Sequence, residues 1–230
     1  MSRSIDLPVL LLTAALAGPA GAAAPDAAPT DPAQYAGVID NPWFPLTPGT
    51  TLIFQGTKDD RRAAREVEVT GKTRTVGGVI CLIVEDRVAL GGKPAEKTIG
   101  YFAQDVAGNV WYFGEESQEL DKNGNVIKSE SWQTGVDGAT PNLVMTAHPE
   151  IGDHFSHPYT NANTEVLSLD ATIEVPYGSF GNALQIKDWN PEESDTLSQI
   201  FYLPGIGEAR NINVKGSSED LKLVEVRTGG

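Results

Sequence analysis

The sequence has one cysteine, Cys81, among 230 residues. A single thiol cannot close an internal disulfide, so the fold must depend on its hydrophobic core. Cys81 lies in the apolar run VICLIV, residues 79–84, which is typical of a buried strand, whereas reactive cysteines need exposure and a positive neighbourhood. We therefore expect an inert core thiol. Because no cysteine lies near the N-terminal apolar segment, we also expect no lipid anchor.

Basic residues are scarce. Lysine and arginine number 17 against 31 aspartates and glutamates, which gives a formal net charge of −14. An acidic surface of this size repels nucleic acid and anionic lipid, so neither is an expected partner. The charge is typical of a soluble exported protein.

Motifs for nucleophilic catalysis, metallopeptidase chemistry and phosphate binding are absent, since the chain has no GxSxG, HExxH or glycine-rich phosphate loop. A hydrolase remains an alternative through a carboxylate pair such as Glu115 with Asp105, or through a metal held by His148, His154 and His157. In a strand, however, His154 and His157 point to opposite faces. The sequence thus assigns no catalytic residue, no metal ligand and no cofactor.

Long apolar runs are also missing. The run from Leu7 to Leu16 is too short to span a bilayer, and small residues follow it, as in a secretory signal peptide. We predict a signal peptide over residues 1–24 with cleavage near Ala22 to Ala24, a proline- and alanine-rich tail over 25–40, and one domain over 41–230. The mature protein is expected to be periplasmic or secreted, with no membrane span.

The clearest structural pattern lies between Tyr101 and Trp132. Turn-forming Asp, Gly and Asn residues at 104–109 and at 121–125 separate short aromatic and aliphatic runs, and the second turn contains Asn-Gly. This pattern predicts a β-meander. Beyond it, residues 133–153 show no sustained period and are expected to form a long loop.

Other segments repeat the strand pattern. Residues 66–76 and 165–175 alternate apolar and polar side chains, while the charged run 58–65 is typical of a solvated face. We predict about ten strands and no helix. The fold class is all-β, a single antiparallel and strongly curved sheet that forms a barrel or half-barrel.

Several motifs together are similar to a known family. The segments NPWFPLTPGT, YFAQD with GNVWYFGE, SWQTGVDGA, VPYGSF and YLPGIG resemble those of a family of uncharacterised secreted bacterial proteins and lipoproteins. The resemblance covers residues 41 to about 207 and implies an all-β extracytoplasmic domain. It supplies no catalytic residues, and this chain lacks the lipobox cysteine of the lipoprotein members.

Three functions remain open. A curved sheet can bind a small apolar or amphiphilic ligand, and four aromatic residues are the candidate contacts: Trp111, Phe113, Trp132 and Tyr177. The same residues can instead pack an ordinary core, which would favour a structural or envelope-associated role. The hydrolase is the third. We favour ligand binding; the oligomeric state does not follow from the sequence.

Overall fold

The computed structural model describes Pro25 and residues 27–157, 161–193 and 196–229. The predicted signal peptide lies outside these residues. Two short 3-10 helices, Pro32–Gln34 and Pro191–Glu193, accompany fourteen strands. The strands are β1 Tyr35–Ala36, β2 Thr50–Lys58, β3 Arg61–Val76, β4 Val79–Leu90, β5 Lys93–Asp105, β6 Val110–Leu120, β7 Val126–Gln133, β8 Asn142–Met145, β9 His154–His157, β10 Ala162–Val175, β11 Gly178–Trp189, β12 Leu197–Leu203, β13 Gly207–Lys215 and β14 Glu219–Thr228.

All strands belong to one antiparallel sheet. Twelve follow the order β7-β6-β5-β4-β3-β2-β14-β13-β12-β11-β10-β9, while β1 pairs with β5 and β8 pairs with β6. The all-β class and the single antiparallel sheet are therefore confirmed. A barrel of about ten strands is not, because the sheet has fourteen strands and does not close within the described residues: β7 and β9 are the two ends of the path.

The predicted meander is confirmed over β5, β6 and β7. Each of its two turns is built on one aspartate carboxylate. Asp105 accepts hydrogen bonds from the backbone of Ala107 and from the backbone and side chain of Asn109. Asp121 repeats this arrangement four residues before Asn125. A carboxylate that binds its own backbone fixes a tight turn locally, so the hairpins form where the sequence predicts them.

The sheet folds back over itself. Strands from its two halves contribute to one core cluster, which includes Val69 and Val84 from one half and Val166, Leu184 and Ile186 from the other. We call this the inner face. The opposite side of β4 to β6, called the outer face, carries a second cluster that contains Val79, Cys81, Tyr101, Trp111 and Phe113.

Segments predicted to be irregular cover parts of this sheet. The predicted tail contributes the first 3-10 helix and β1, and Tyr35 packs edge-on against Phe113 with the ring centroids 5.3 Å apart. The predicted long loop contains β8, which pairs with β6. Among the described residues, no helix has the length and apolar character needed to cross a membrane.

The charged run 58–65 forms a hairpin, with the end of β2, a turn and the start of β3. Asp59, Asp60, Arg61 and Arg62 are exposed, as the prediction of a solvated face requires, and Arg65 is the exception. Asp59 and Asp60 make the turn with positive φ angles of 49° and 59°. The alternation of β3 then turns Arg65 inward, on the same side as Val67.

Candidate ligand-binding site

A cavity of about 320 Å³ lies on the inner face. β2 to β6 and the start of β13 form its floor, and the segment Phe44–Leu46 covers one side. Its apolar walls come from side chains of the sheet, the covering segment and the β12–β13 turn: Phe44, Leu46, Leu52, Phe54, Val67, Val84, Phe102 and Ile206. A cavity of this size and lining can bind a small organic molecule.

The covering segment is held by Asn41, whose side chain is buried. It donates to the carbonyl oxygens of Gly108 and Thr146, both at 2.9 Å, and it accepts from the backbone of Trp43. Its backbone N–H donates to the side chain of Gln104 at 2.9 Å. These bonds tie the segment to the β5–β6 turn, and Phe44 then packs against the aromatic rings of the inner face.

The charged floor of the cavity is centred on Arg65. Its guanidinium contacts Asp86 at 2.8 Å and Glu208 at 2.7 Å. Only 20% of the Arg65 side chain is exposed, with 25% of Asp86 and 15% of Glu208. The ring of Phe54 lies beneath the guanidinium, 5.4 Å from its centroid. The floor is therefore a mostly buried ion-pair network inside an otherwise apolar site.

Burial and mutual attraction oppose one another in this network. Burial by itself would lower the pKa of Arg65, but Glu208 and Asp86 outweigh it and raise the pKa, so the guanidinium is always charged. Burial raises the pKa of Glu208, and Arg65 offsets only part of that shift. A single arginine thus faces two carboxylates, and its positive charge does not fully offset the cost of burying both negative charges.

The opposite wall contains Tyr112 and Glu115. The Tyr112 hydroxyl donates to Glu115 at 2.6 Å, and its ring stacks on Phe102 with centroids 4.6 Å apart. Burial, followed by the charge of Glu115, raises the pKa of Tyr112. A glycine is required beneath the two rings, because a Cβ at Gly100 would lie 2.8 Å from Phe102 and 2.9 Å from Tyr112.

A smaller cavity of about 200 Å³ continues from the charged floor. Arg65, Asp86, Glu96 and Thr98 line both cavities, so the two form one connected site with an apolar end and a polar end. At the polar end, Oδ1 of Asp86 and Oδ1 of Asn211 are buried and have no hydrogen-bond partner in the described structure. Such acceptors are rare in proteins and need an explanation.

The four predicted contact residues do not lie together. Trp111 and Phe113, each 2% exposed, line a separate cavity of about 620 Å³ on the outer face. The Trp111 indole donates to Asp105 at 2.9 Å. Trp132 packs edge-on against Tyr112, and so supports a residue in the wall of the inner cavity. Tyr177 follows β10 and stacks on Phe180, in neither cavity.

The histidines are also separated. His154 and His157 lie on opposite faces of β9, as their spacing predicts, and His148 is exposed. His154 packs near the Trp189 ring, whereas His157 lies 2.9 Å from the Thr164 hydroxyl. Within the described ranges, no three His, Cys, Asp or Glu residues are grouped in a way that could hold a metal ion.

The suggested carboxylate pair is divided between the two faces. Asp105 bonds to Trp111, which points to the outer face, and Glu115 bonds to Tyr112, which points to the inner face. Asp105 is buried and accepts four hydrogen bonds, so it has a structural role. The buried thiol of Cys81 fits the expected inert role, since burial raises its pKa to about 12.

Comparison with known proteins adds little to these observations. No family model matches the chain, and no curated protein matches it. Among solved structures, the fold is similar to that of a chain from Parabacteroides distasonis described as a "putative lipoprotein". The two share 13% sequence identity, and the alignment covers 80% of this chain and 98% of the other with a TM-score of 0.36.

Proposed function

We propose that this protein binds a small amphiphilic molecule in the inner-face cavity. The observation that carries the proposal is one connected site with aliphatic and aromatic walls at one end and the Arg65 network at the other. An amphiphile would place its apolar body against Leu52, Val67 and Phe102 and its head group near Asp86. That division of polarity matches how proteins orient small ligands.

The buried charges favour binding over a purely structural role. A buried ion-pair network adds little net stability, because apolar residues of similar volume are often equally or more stabilising. The buried oxygens of Asp86 and Asn211 without partners add a further cost. A protein that served only as a structural element would gain by packing this region solid, so a bound molecule is the better account.

We further propose that the open sheet works as a half-barrel whose inner face holds the ligand, and that the protein acts outside the cytoplasm. The first proposal is supported by the inner core cluster, which draws on both halves of the sheet. The second depends on the residues of the predicted signal peptide and on the family resemblance. It is tested by locating the processed chain in cell fractions.

The outer-face cavity remains an alternative location for the ligand. Its lining includes the predicted contacts Trp111 and Phe113, but their rings are almost fully buried and Trp111 is tied to Asp105. These features are typical of core side chains. We therefore propose the inner cavity as the primary site, with Trp132 as a residue that positions Tyr112.

Binding is tested with the fluorescent apolar probe N-phenyl-1-naphthylamine and two blocking substitutions. Val67→Trp fills the inner cavity, whereas Thr140→Trp fills the outer cavity. We expect the wild type and Thr140→Trp to bind the probe and Val67→Trp to lose at least ten-fold in affinity. Circular dichroism and melting curves verify that both variants are folded.

The outcomes separate the two locations. Loss of binding in Thr140→Trp alone would move the site to Trp111 and Phe113. Absence of probe binding in the wild type, together with a native mass spectrum free of any retained organic molecule, would remove the binding function. A retained molecule from protein purified out of its own source would identify the ligand class directly.

A further inference from the structure

The polar end of the inner cavity has a strong excess of negative charge. Five carboxylate side chains line the two connected cavities: Asp86, Glu96, Glu115, Glu208 and Glu219. The only cations lining the same described surface are Lys58 and Arg65. A site of low dielectric with three more carboxylates than cations is costly unless another positive group enters it.

Both cations already have carboxylate partners, and the charge of Lys58 also acts on Glu96. Lys58 contacts Glu219 at 2.9 Å, and Arg65 is shared between Asp86 and Glu208. Both contacts of Arg65 with Asp86 go to the same carboxylate oxygen, Oδ2. Oδ1 of Asp86 is therefore a buried carboxylate oxygen that accepts nothing, in a position next to the cavity.

Two further acceptors lie at the same end. Oδ1 of Asn211 is buried without a partner, and this side chain lines the smaller cavity together with Asp86. Glu96 lines it too, and its nearest hydrogen bonds are long, at 3.4 Å from Thr98 and 3.5 Å from Ser117. These acceptors are grouped around the smaller cavity, and an ammonium group carries three hydrogen-bond donors.

We infer that the ligand is a cationic amphiphile, an alkyl or aryl amine whose ammonium group lies between Asp86, Glu96 and Asn211. This inference depends on the proposed binding function and names the chemical class of its ligand. The apolar body would extend toward Phe102 and Leu52. Burial is the main cause of the raised pKa of Glu208, and the negative charge of Asp86 adds to it.

Three probes with the same eight-carbon body test the head group: n-octylamine, 1-octanol and octanoate. Each is titrated against the bound naphthylamine probe at pH 7, where the amine is cationic and the acid is anionic. We expect octylamine to compete at least ten-fold more tightly than octanol, with octanoate the weakest.

Substitution assigns the preference to particular residues. Glu96→Gln should reduce the preference for octylamine over octanol by at least five-fold. Glu225→Gln is the matched control, because it removes one negative charge from a side chain that is 49% exposed and paired with Arg227, outside both cavities. We expect that variant to behave as the wild type does.

Failure of this inference is distinguishable from failure of the proposed function. Equal competition by all three compounds, or a preference for octanoate, would overturn the amine assignment and leave apolar binding intact. Equal loss of preference in Glu96→Gln and Glu225→Gln would show a general charge effect and would also overturn it. If the naphthylamine probe does not bind and the native mass spectrum shows no retained organic molecule, the binding function itself is refuted.

Discussion

Replacement of Arg65 by methionine should be far more destabilising than the same change at Arg87. Both arginines contact several carboxylates in neighbouring strands. Arg65 does so from inside the cavity, where the three charged side chains are 15% to 25% exposed. Arg87 does so from a side chain that is 41% exposed, with Glu66 and Glu68 at 47% and 40%. Its third partner, Glu85, is only 17% exposed but also contacts Lys97. Methionine retains most of the apolar stem in each case, so the comparison isolates the charge.

The magnitude follows from what each substitution leaves behind. Arg65→Met leaves two mostly buried carboxylates without their cation. The loss of one partner from a buried ion pair costs about 3–5 kcal/mol. Because water still reaches part of these side chains, we expect about 3 kcal/mol at pH 8. Arg87→Met removes a cation that is itself 41% exposed and leaves Glu85 with Lys97 at 3.5 Å, so we expect a cost of about 1 kcal/mol.

The cost at Arg65 should also depend on pH. The pKa of Glu208 is already raised in the folded state, and it rises further once Arg65 is removed. A carboxyl whose folded pKa exceeds its unfolded value destabilises the fold above the folded pKa and stops doing so below the unfolded value. The penalty of Arg65→Met should therefore be largest at pH 8 and smaller at pH 5.

Urea unfolding of the wild type and both variants at pH 5 and pH 8 measures these effects. A loss of about 3 kcal/mol lowers the urea midpoint by at least about 1 M for typical slopes. Equal costs for the two arginines, or a cost at Arg65 that does not change with pH, would refute the buried-network description.

Three further predictions use thermal unfolding as the readout. Asp105→Ala should cost about 2–4 kcal/mol because it leaves buried donors without an acceptor. Asp121→Ala, in the equivalent but exposed turn, should lower the melting temperature far less; equal shifts would contradict this. Gly100→Ala should cost about 1–3 kcal/mol through overpacking, whereas Gly181→Ala, whose nearest neighbour would be 4.0 Å away, should change stability by less than about 0.5 kcal/mol. Burial raises the pKa of Asp188 to about 6, so its ionised form destabilises the fold at high pH. Asp188→Asn should therefore raise stability by about 1 kcal/mol above pH 6 and lose that advantage below pH 4. A gain in stability that is independent of pH would contradict the assignment.

Local signals were sufficient to predict most of the sheet. The two Asp-to-Asn turns and the alternation in residues 165–175 specify hairpins and strands through contacts between near neighbours, and the structure has them there. β1 and β8 were not predicted, because each is short and pairs with a strand far away in sequence. The pairing of β2 with β14 is likewise non-local, and it is what joins the two halves of the sheet.

The charged floor was missed for a related reason. Extending the alternation of Val67 and Val69 back by two residues places Arg65 on the same face, so a signal for its inward orientation was present. Its partner Glu208 is 143 residues away. No local pattern links the two, and a polar run that ends in arginine is more often solvated.

Tyr112 and Glu115 show a second limit of sequence patterns. Strict alternation places residues three apart on opposite faces, yet these two side chains share a hydrogen bond of 2.6 Å in the cavity wall. The register of β6 on β5 shifts by one residue here, since Tyr101 faces Gly114 whereas Phe102 faces Tyr112. Gly114 takes a φ of 144°, a backbone conformation favourable only to glycine. The bulge thus turns Glu115 toward the face of Tyr112, while Trp111 and Phe113 stay on the outer face. Strict alternation of side chains does not account for the extra residue of a β-bulge. The aromatic content therefore indicated this strand as a candidate, but it could not specify which of its aromatic residues line the inner cavity.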